Sequence, residues 1–435
     1  MIIQNGKQDP WPAVSAPIRQ HPLPAEFPGA HAIDKEEEEA LLRVCRSKSL
    51  YRYHGIDPQR EASQFEQEFA AFTGARHAVA VTSGTAALHT AFGALGVGPG
   101  QEVIIPAYLW VSIAAAVVNL GAIPVLADID ETFCVNPEDV RRKITPRTSA
   151  ILIAHMNGAP GNVLDLVGMA RDRGIYLIED CAQCVGGTIR GQSVGTFGDI
   201  AIFSFQINKN ISSGEGGAVI TNNEGLWRRA VAVHDVGYSR DSTEKLNLED
   251  SDSFGWGRGY RLDELRAAVL RVQLRKLPST LERLRSSKLR ITESLRSMGE
   301  FKLRHLVDPA GDTGAFLLTI FPTEQLARAV NARMRWNGIT CSADAVSNVI
   351  LSDYGLHIYS NIPSLVRKVG TDRSGAPWNL ESNRDSVYEY GVGSCPVADD
   401  LFRRTQLLTI PVCLSPRDEQ DVIDAFSEAL SSSRA

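Results

Sequence analysis

The sequence predicts an α/β protein, with a large domain on a mostly parallel seven-stranded sheet covered by helices and a smaller C-terminal α+β domain after it. Three observations carry this. Seven short apolar runs recur: HAVAV (77–81), EVIIPA (102–107), IPVLADI (123–129), SAILIAH (149–155), IYLIED (175–180), DIAIFSF (199–205) and GGAVIT (216–221). Helix-length stretches such as TAALHTAFGAL, NPEDVRRKI and NVLDLVGMARDRG separate most of them. The 435 residues, 43% hydrophobic and 22% charged, lie near the globular average and allow two or three domains. Runs that are apolar throughout describe strands buried on both faces, as in a parallel sheet between helix layers. Ligands on such sheets bind beyond the carboxyl ends of the strands, so the residues just after each run are the informative ones.

In chain order, residues 1–33 hold Pro10, Pro12, Pro17, Pro22, Pro24 and Pro28, which favour an extended arm. Asp34 with Glu37 has the capping-box spacing, and the acidic run 36–39 suits a helix start. The large domain is assigned to 34–280. From Val103 to Ala127 there is no charge, but Pro106, Asn119, Gly121 and Pro124 interrupt the stretch, so strand, buried helix and strand are expected rather than a membrane span. The small domain, 281–435, opens on a long charged helix. It continues with a strand at GAFLLTIF, a helix at TEQLARAVNARMRWNG and a last helix capped by Ser415, with Pro416 in its first turn. Residues 345–395, rich in Gly, Ser, Asn and Tyr, are too long for a plain connector and read as an insertion over the substrate. Tyr359, Trp378 and Arg384, with Tyr354 and Asn379, are its candidates for an acceptor wall.

Composition narrows the partners. With 45 Lys and Arg against 51 Asp and Glu, the net charge of −6 offers no basic footprint for nucleic acid. Seven cysteines without a stapled spacing suit a reducing cytoplasm, and MIIQNGKQDPWP does not read as a secretion signal.

Three strand ends carry the chemistry. Ser83, Gly84 and Thr85 stand between a strand and a helix start, where free amides and the helix dipole can hold a phosphate. Glu179 and Asp180 end an apolar strand, where buried carboxylates are costly unless paired. Cys181 and Cys184 form a CxxC with no second ligand pair at metal spacing, so they read as structural thiols and no metal is expected. DIAIFSFQINKNISSGEGGAVIT delivers Ser204 and then Lys209 before a glycine-rich turn. A lysine beside a strand-end acid and a phosphate-binding turn is the set that pyridoxal phosphate needs: an amine, an anion for the pyridine nitrogen, and amides for the phosphate.

FSFQINKNISSGEGGAVIT, IEDCAQCVGGTIRGQSVGTFGD, TSGTAALHTAFGALGVGPGQEVIIPAYLW and GRGYRLDELRAAVLRVQLRKL together resemble the DegT/StrS sugar and cyclitol aminotransferases, a fold-type I pyridoxal phosphate family. The resemblance spans about residues 45–280, and more loosely IPVCLSPRDEQDVIDAF. It implies that Lys209 forms the Schiff base with pyridoxal 5′-phosphate and then moves protons, with pyridoxamine 5′-phosphate as the alternate form. Asp180 would pair with the pyridinium nitrogen, Gln183 would face the ring hydroxyl, and Trp110 would stack on the ring. Gly84, Thr85 and Ser204 would hold the phosphate, and Tyr53, within Tyr51–His54, would face the substrate. One departure stands out: family members carry G-x-N where this chain has Gly257, Arg258, Gly259, so the Asn that reaches the other subunit's phosphate is absent. A homodimer with sites at the interface is expected.

The implied activity is transfer of an amino group from L-glutamate or L-glutamine to a keto sugar, nucleotide-linked or free, or to a keto cyclitol, in secondary-metabolite or surface-sugar biosynthesis. A dehydratase or aromatase of the aminohydroxybenzoate synthase type is the alternative. Deoxysugar dehydratases lack the lysine that this chain has at 209. A non-catalytic scaffold that binds the cofactor is a third reading from another class.

Overall fold

The computed structural model describes residues 16–299, 301–342 and 347–433. All seven apolar runs become strands of one sheet: β1 His77–Val81, β2 Glu102–Pro106, β3 Ile123–Ala127, β4 Thr148–Ala154, β5 Tyr176–Asp180, β6 Ile200–Ser204 and β7 Gly217–Thr221. Their order across the sheet is β1-β7-β6-β5-β4-β2-β3. Pairings from β3 through β6 are parallel, and β7 runs antiparallel to both β6 and β1. Strands β2, β3, β6 and β7 are buried at every residue, as runs without alternation demand. Each fully buried aliphatic side chain in them contributes about 1.5–3 kcal/mol relative to exposure.

Helix starts follow their caps. The Asp34–Glu37 capping box opens helix Lys35–Ser47, and Ser415 with Asp418 forms a second box at helix Pro416–Ser432. Asp263 caps a 32-residue helix, Glu264–Leu295, so the boundary assigned at 280 falls inside one continuous element that belongs to both domains. The small domain is an antiparallel sheet ordered Lys302–Leu303, Phe316–Ile320, Thr405–Thr409, Asn348–Ile350. Helices Glu324–Trp336 and Pro416–Ser432 pack on it around Met334, Phe321 and Phe426. Of the expected N-terminal arm, residues 1–15 lie outside the described residues. The next stretch follows the small domain, with the Arg19 and Leu23 N–H groups donating to the Asn337 and Thr340 carbonyls, and then forms the short helix Pro28–His31. Among the described residues no helix is long and apolar enough to cross a membrane.

The insertion, whose residues 345 and 346 are outside the described set, divides into two halves. Residues 351–361 are three consecutive 3-10 turns that cross the carboxyl end of β2: Tyr359 N–H donates to the Ala107 carbonyl and Leu109 N–H to that of His357. Residues 363–390 then run to the opposite end of the sheet. There Asn383 bonds Gly100 and Gly121, and the Ser386 hydroxyl donates to Glu102, the first residue of β2.

Candidate active site

The carboxyl ends of β2, β5 and β6 converge on one cavity, which holds the Lys209 side chain among Gln183, Asn208, Asn210, Phe316, Tyr354 and His357. Asp180, the last residue of β5, is buried, and its Oδ1 accepts the Ala182 N–H at 2.9 Å. Burial pushes its carboxyl up, opposed by the Ala182 amide and then by Lys209 and His155. Burial pushes the Lys209 amine down, opposed by Asp180 and Glu215. No hydrogen bond or ion pair engages Lys209 Nζ among the described residues. An unpaired, desolvated amine is a competent nucleophile.

Beside this pair lies the turn after β1. Ser83 caps helix Gly84–Leu95, its hydroxyl accepting the Ala86 N–H, so the cap leaves the Gly84 and Thr85 amides free in the first turn. A Cβ on Gly84 would stand 2.9 Å from the Ser204 Cβ, and one on Gly217 would stand 2.4 Å from the Ser83 carbonyl oxygen. Both glycines are thus needed for close approach, and they bring the Ser204 hydroxyl to the free amides. Thr85 Oγ1 pairs with Ser112 at 2.8 Å. Trp110 precedes helix Val111–Asn119 and is 44% exposed, its ring 4.8 Å from that of His357. Gln183 Oε1 accepts the Asn157 N–H at 2.8 Å.

Glu179 needs no cation. Its oxygens accept the Gly195, Phe197 and Gly198 N–H groups, and His155 Nε2 lies 3.0 Å away. His155 Nδ1 accepts the Gly161 N–H, so Nε2 carries the proton and donates to Glu179. Cys181 lies close to this pair, but the histidine and carboxylate electron pairs are already spent. The Cys181 and Cys184 thiols are buried, and burial pushes both well up.

The expected substrate residues are dispersed. Tyr359 is buried, its hydroxyl donating to Asp399 at 2.9 Å. The Trp378 indole N–H donates to the Val369 carbonyl, and Arg384 pairs with Glu381 on the surface. Both lie with the second half of the insertion, at the sheet end away from Lys209, because Asn383 and Ser386 tie that half to the starts of the strands. None of the three lines the Lys209 cavity. Tyr53 donates to His234 Nε2 at 3.1 Å, under the Arg240 guanidinium. Gly259 has φ +69°, and a Cβ there would meet only Arg261 at 3.9 Å, so backbone conformation rather than crowding suits glycine. His357 was not legible in the sequence: one imidazole in a polar loop gives no signal until Leu109 and Tyr359 pin its turn over β2.

A family model, the DegT/DnrJ/EryC1/StrS aminotransferase family, matches residues 31–344. The chain belongs to that family. It is 39% identical over 267 residues to an L-glutamine:2-deoxy-scyllo-inosose aminotransferase of Streptoalloteichus tenebrarius, covering 60% of this chain and 62% of that one. It is 38% identical over 255 residues to the 3-amino-5-hydroxybenzoate synthase of Amycolatopsis mediterranei, covering 58% and 63%. The match thus spans less than two thirds of either relative. A crystal structure of 3-amino-5-hydroxybenzoic acid synthase superposes with a TM-score of 0.75 at 26% identity, over 96% of this chain and 100% of that one. The central sheet, mostly parallel with helices on its faces, is that of fold-type I aminotransferases.

The residues present fit pyridoxal 5′-phosphate. Asp180 offers a buried carboxylate, Lys209 an unpaired amine, and Gly84, Thr85 and Ser204 a cradle of donors kept free by the Gly84 and Gly217 contacts.

Proposed function

We propose that the protein is a pyridoxal phosphate-dependent aminotransferase that takes an amino group from L-glutamine or L-glutamate and delivers it to a keto cyclitol or keto sugar. The observation that carries this is the unpaired Lys209 amine facing the buried Asp180 carboxylate at adjacent strand ends. When bound, pyridoxal phosphate supplies an electron sink that lets an amino group pass between carbon skeletons. Lys209 Nζ is the nucleophile that holds the group and, once released, the base that moves a proton. Asp180 balances positive charge on the ring nitrogen, its elevated carboxyl held ionised by that contact. Ser204 and the Gly84 and Thr85 amides bind the phosphate anion. Trp110 covers the ring, and Tyr354 with His357 walls the cavity against water.

Among acceptors, an uncharged hydroxylated ring suits the cavity best. Its wall carries amides and aromatic rings, and among the described residues Lys209 is the one cation lining it. Arg367, Lys368 and Arg373, which would suit a nucleotide diphosphate, belong to the half of the insertion that leaves for the far end of the sheet; Lys368 pairs there with Glu389. The named inosose aminotransferase relative supports the same choice. The superposition on 3-amino-5-hydroxybenzoic acid synthase favours a second reading, dehydration or aromatisation. The working unit is a homodimer, supported by the apolar residues exposed on the 236–256 loop, and seven free cysteines suit the cytoplasm.

The test is the visible spectrum of the purified holoprotein before and after L-glutamine or L-glutamate, beside Lys209→Ala. A band that either donor bleaches in the wild type, and that Lys209→Ala lacks, is the expected result. A band that resists both donors favours the second reading. No band with added cofactor rejects both.

A further inference from the structure

Gln183 is held from two sides, and the second hold comes from far along the chain. Its Oε1 accepts the Asn157 N–H at 2.8 Å, so Nε2 faces the other way, where His357 Nε2 lies at 3.4 Å. The imidazole is itself oriented. Nδ1 sits 3.3 Å from the Tyr354 carbonyl, which only accepts, so Nδ1 carries the proton and Nε2 presents a lone pair. Tyr354 stacks on the ring at 4.1 Å and 11°, and Trp110 packs against it at 4.8 Å. Leu109 donates to the His357 carbonyl at 3.0 Å and fixes the backbone. Burial, followed by the nearby Lys209 charge, pushes His357 down to about 4, which keeps the ring a neutral acceptor at neutral pH.

We propose that His357 is a positioning residue whose Nε2 lone pair fixes the Gln183 amide, leaving that amide's second N–H to point at the ring hydroxyl of the cofactor held by Lys209. This rests on the pyridoxal phosphate reading above. It ties the first half of the insertion to the electronic state of the cofactor, because a donor to the ring oxygen stabilises its anionic form.

The experiment titrates the visible band of the substrate-free holoprotein with pH. His357→Phe keeps a ring between Tyr354 and Trp110 but has no lone pair, and it moves the midpoint up by about one pH unit, as expected when a hydrogen bond to an anionic oxygen weakens. His357→Gln, whose side-chain carbonyl accepts, brings the midpoint most of the way back to the wild-type value. Gln183→Leu shifts the midpoint the same way, and adding His357→Phe to it adds nothing further. A packing role alone would lower thermal stability and leave the midpoint in place. A His357→Phe midpoint equal to wild type, or additive shifts in the double variant, overturns the proposal. Should His357→Phe not fold, His357→Leu is read in the same way. No band in the wild type removes the cofactor reading and this proposal with it; a wild-type band with an unmoved variant removes this proposal alone.

Discussion

Gly84 shows how much a single missing side chain decides. The space its Cβ would take lies 2.9 Å from Ser204 Cβ, so Gly84→Ala must push Ser204 off the helix start. The cofactor's phosphate then loses a hydroxyl donor and the close fit of two amides, while the apolar core is untouched. We expect apparent cofactor affinity to fall by about tenfold or more, equivalent to at least ~1.4 kcal/mol, with the melting temperature of the cofactor-free protein little changed. Equilibrium titration of the visible band measures the first and calorimetry the second; undiminished affinity would refute the cradle. The strand-to-helix position of Ser83–Thr85 was readable because an apolar run there gives way to a short Ser-Gly-Thr turn before a helical stretch, where free amides collect. The partner contact with Ser204, 120 residues later in the chain, was not.

Among the elements, the insertion departs furthest from its sequence reading. Its polar and aromatic composition suits a substrate wall, yet among its described residues only the turn containing Tyr354 and His357 reaches the Lys209 cavity. Asn383 and Ser386 fix its second half at the strand starts, and a buried acid fixes the chain just after it. Asp128, just past β3, accepts the Val397 and Ala398 N–H groups at 2.9 and 2.8 Å, so a large-domain carboxylate satisfies the start of the small-domain helix Pro396–Arg404. Asp128→Ala strands one buried and one part-buried amide, a loss of about 1–3 kcal/mol. The expected result is a melting temperature lower by about 2–6 °C, with Asp128→Asn recovering part of it. An unchanged melting temperature would mean that this junction contributes nothing to docking the helix.

At the scale of the whole molecule, one loop exposes several large apolar residues. Trp256 is 94% exposed between Gly255 and Gly257, on a loop that also exposes Val236, Leu248 and Phe254. The loop is tied to the first-helix region, where Ile56 is 82% exposed, through Arg240 over Tyr53 and Arg60 beside Glu244. Large apolar side chains left in water at this density mark a contact surface. The proposed homodimer thus predicts a wild type that scatters light as a dimer and a Trp256→Glu variant that scatters as a monomer, because a carboxylate cannot be desolvated there without a partner. A variant with wild-type mass would place the subunit contact elsewhere.

By itself the sequence determined the seven strands, their helical spacers, the caps at Asp34 and Ser415, and the residue types at each strand end. These depend on neighbours within a few positions, where periodicity, capping and chain reversal act. The tertiary structure alone decided which strand ends meet, that helix Glu264–Leu295 runs unbroken through the domain boundary, and that the insertion divides with His357 at one end of the sheet and Arg384 at the other. The meeting of the strand ends and the division of the insertion rest on hydrogen bonds between residues hundreds of positions apart, such as the Leu109 N–H to the His357 carbonyl and the Gly100 N–H to the Asn383 side-chain oxygen. Local composition does not encode such pairings: a polar loop satisfies its own turns equally well wherever the packed core offers it free amides and carbonyls.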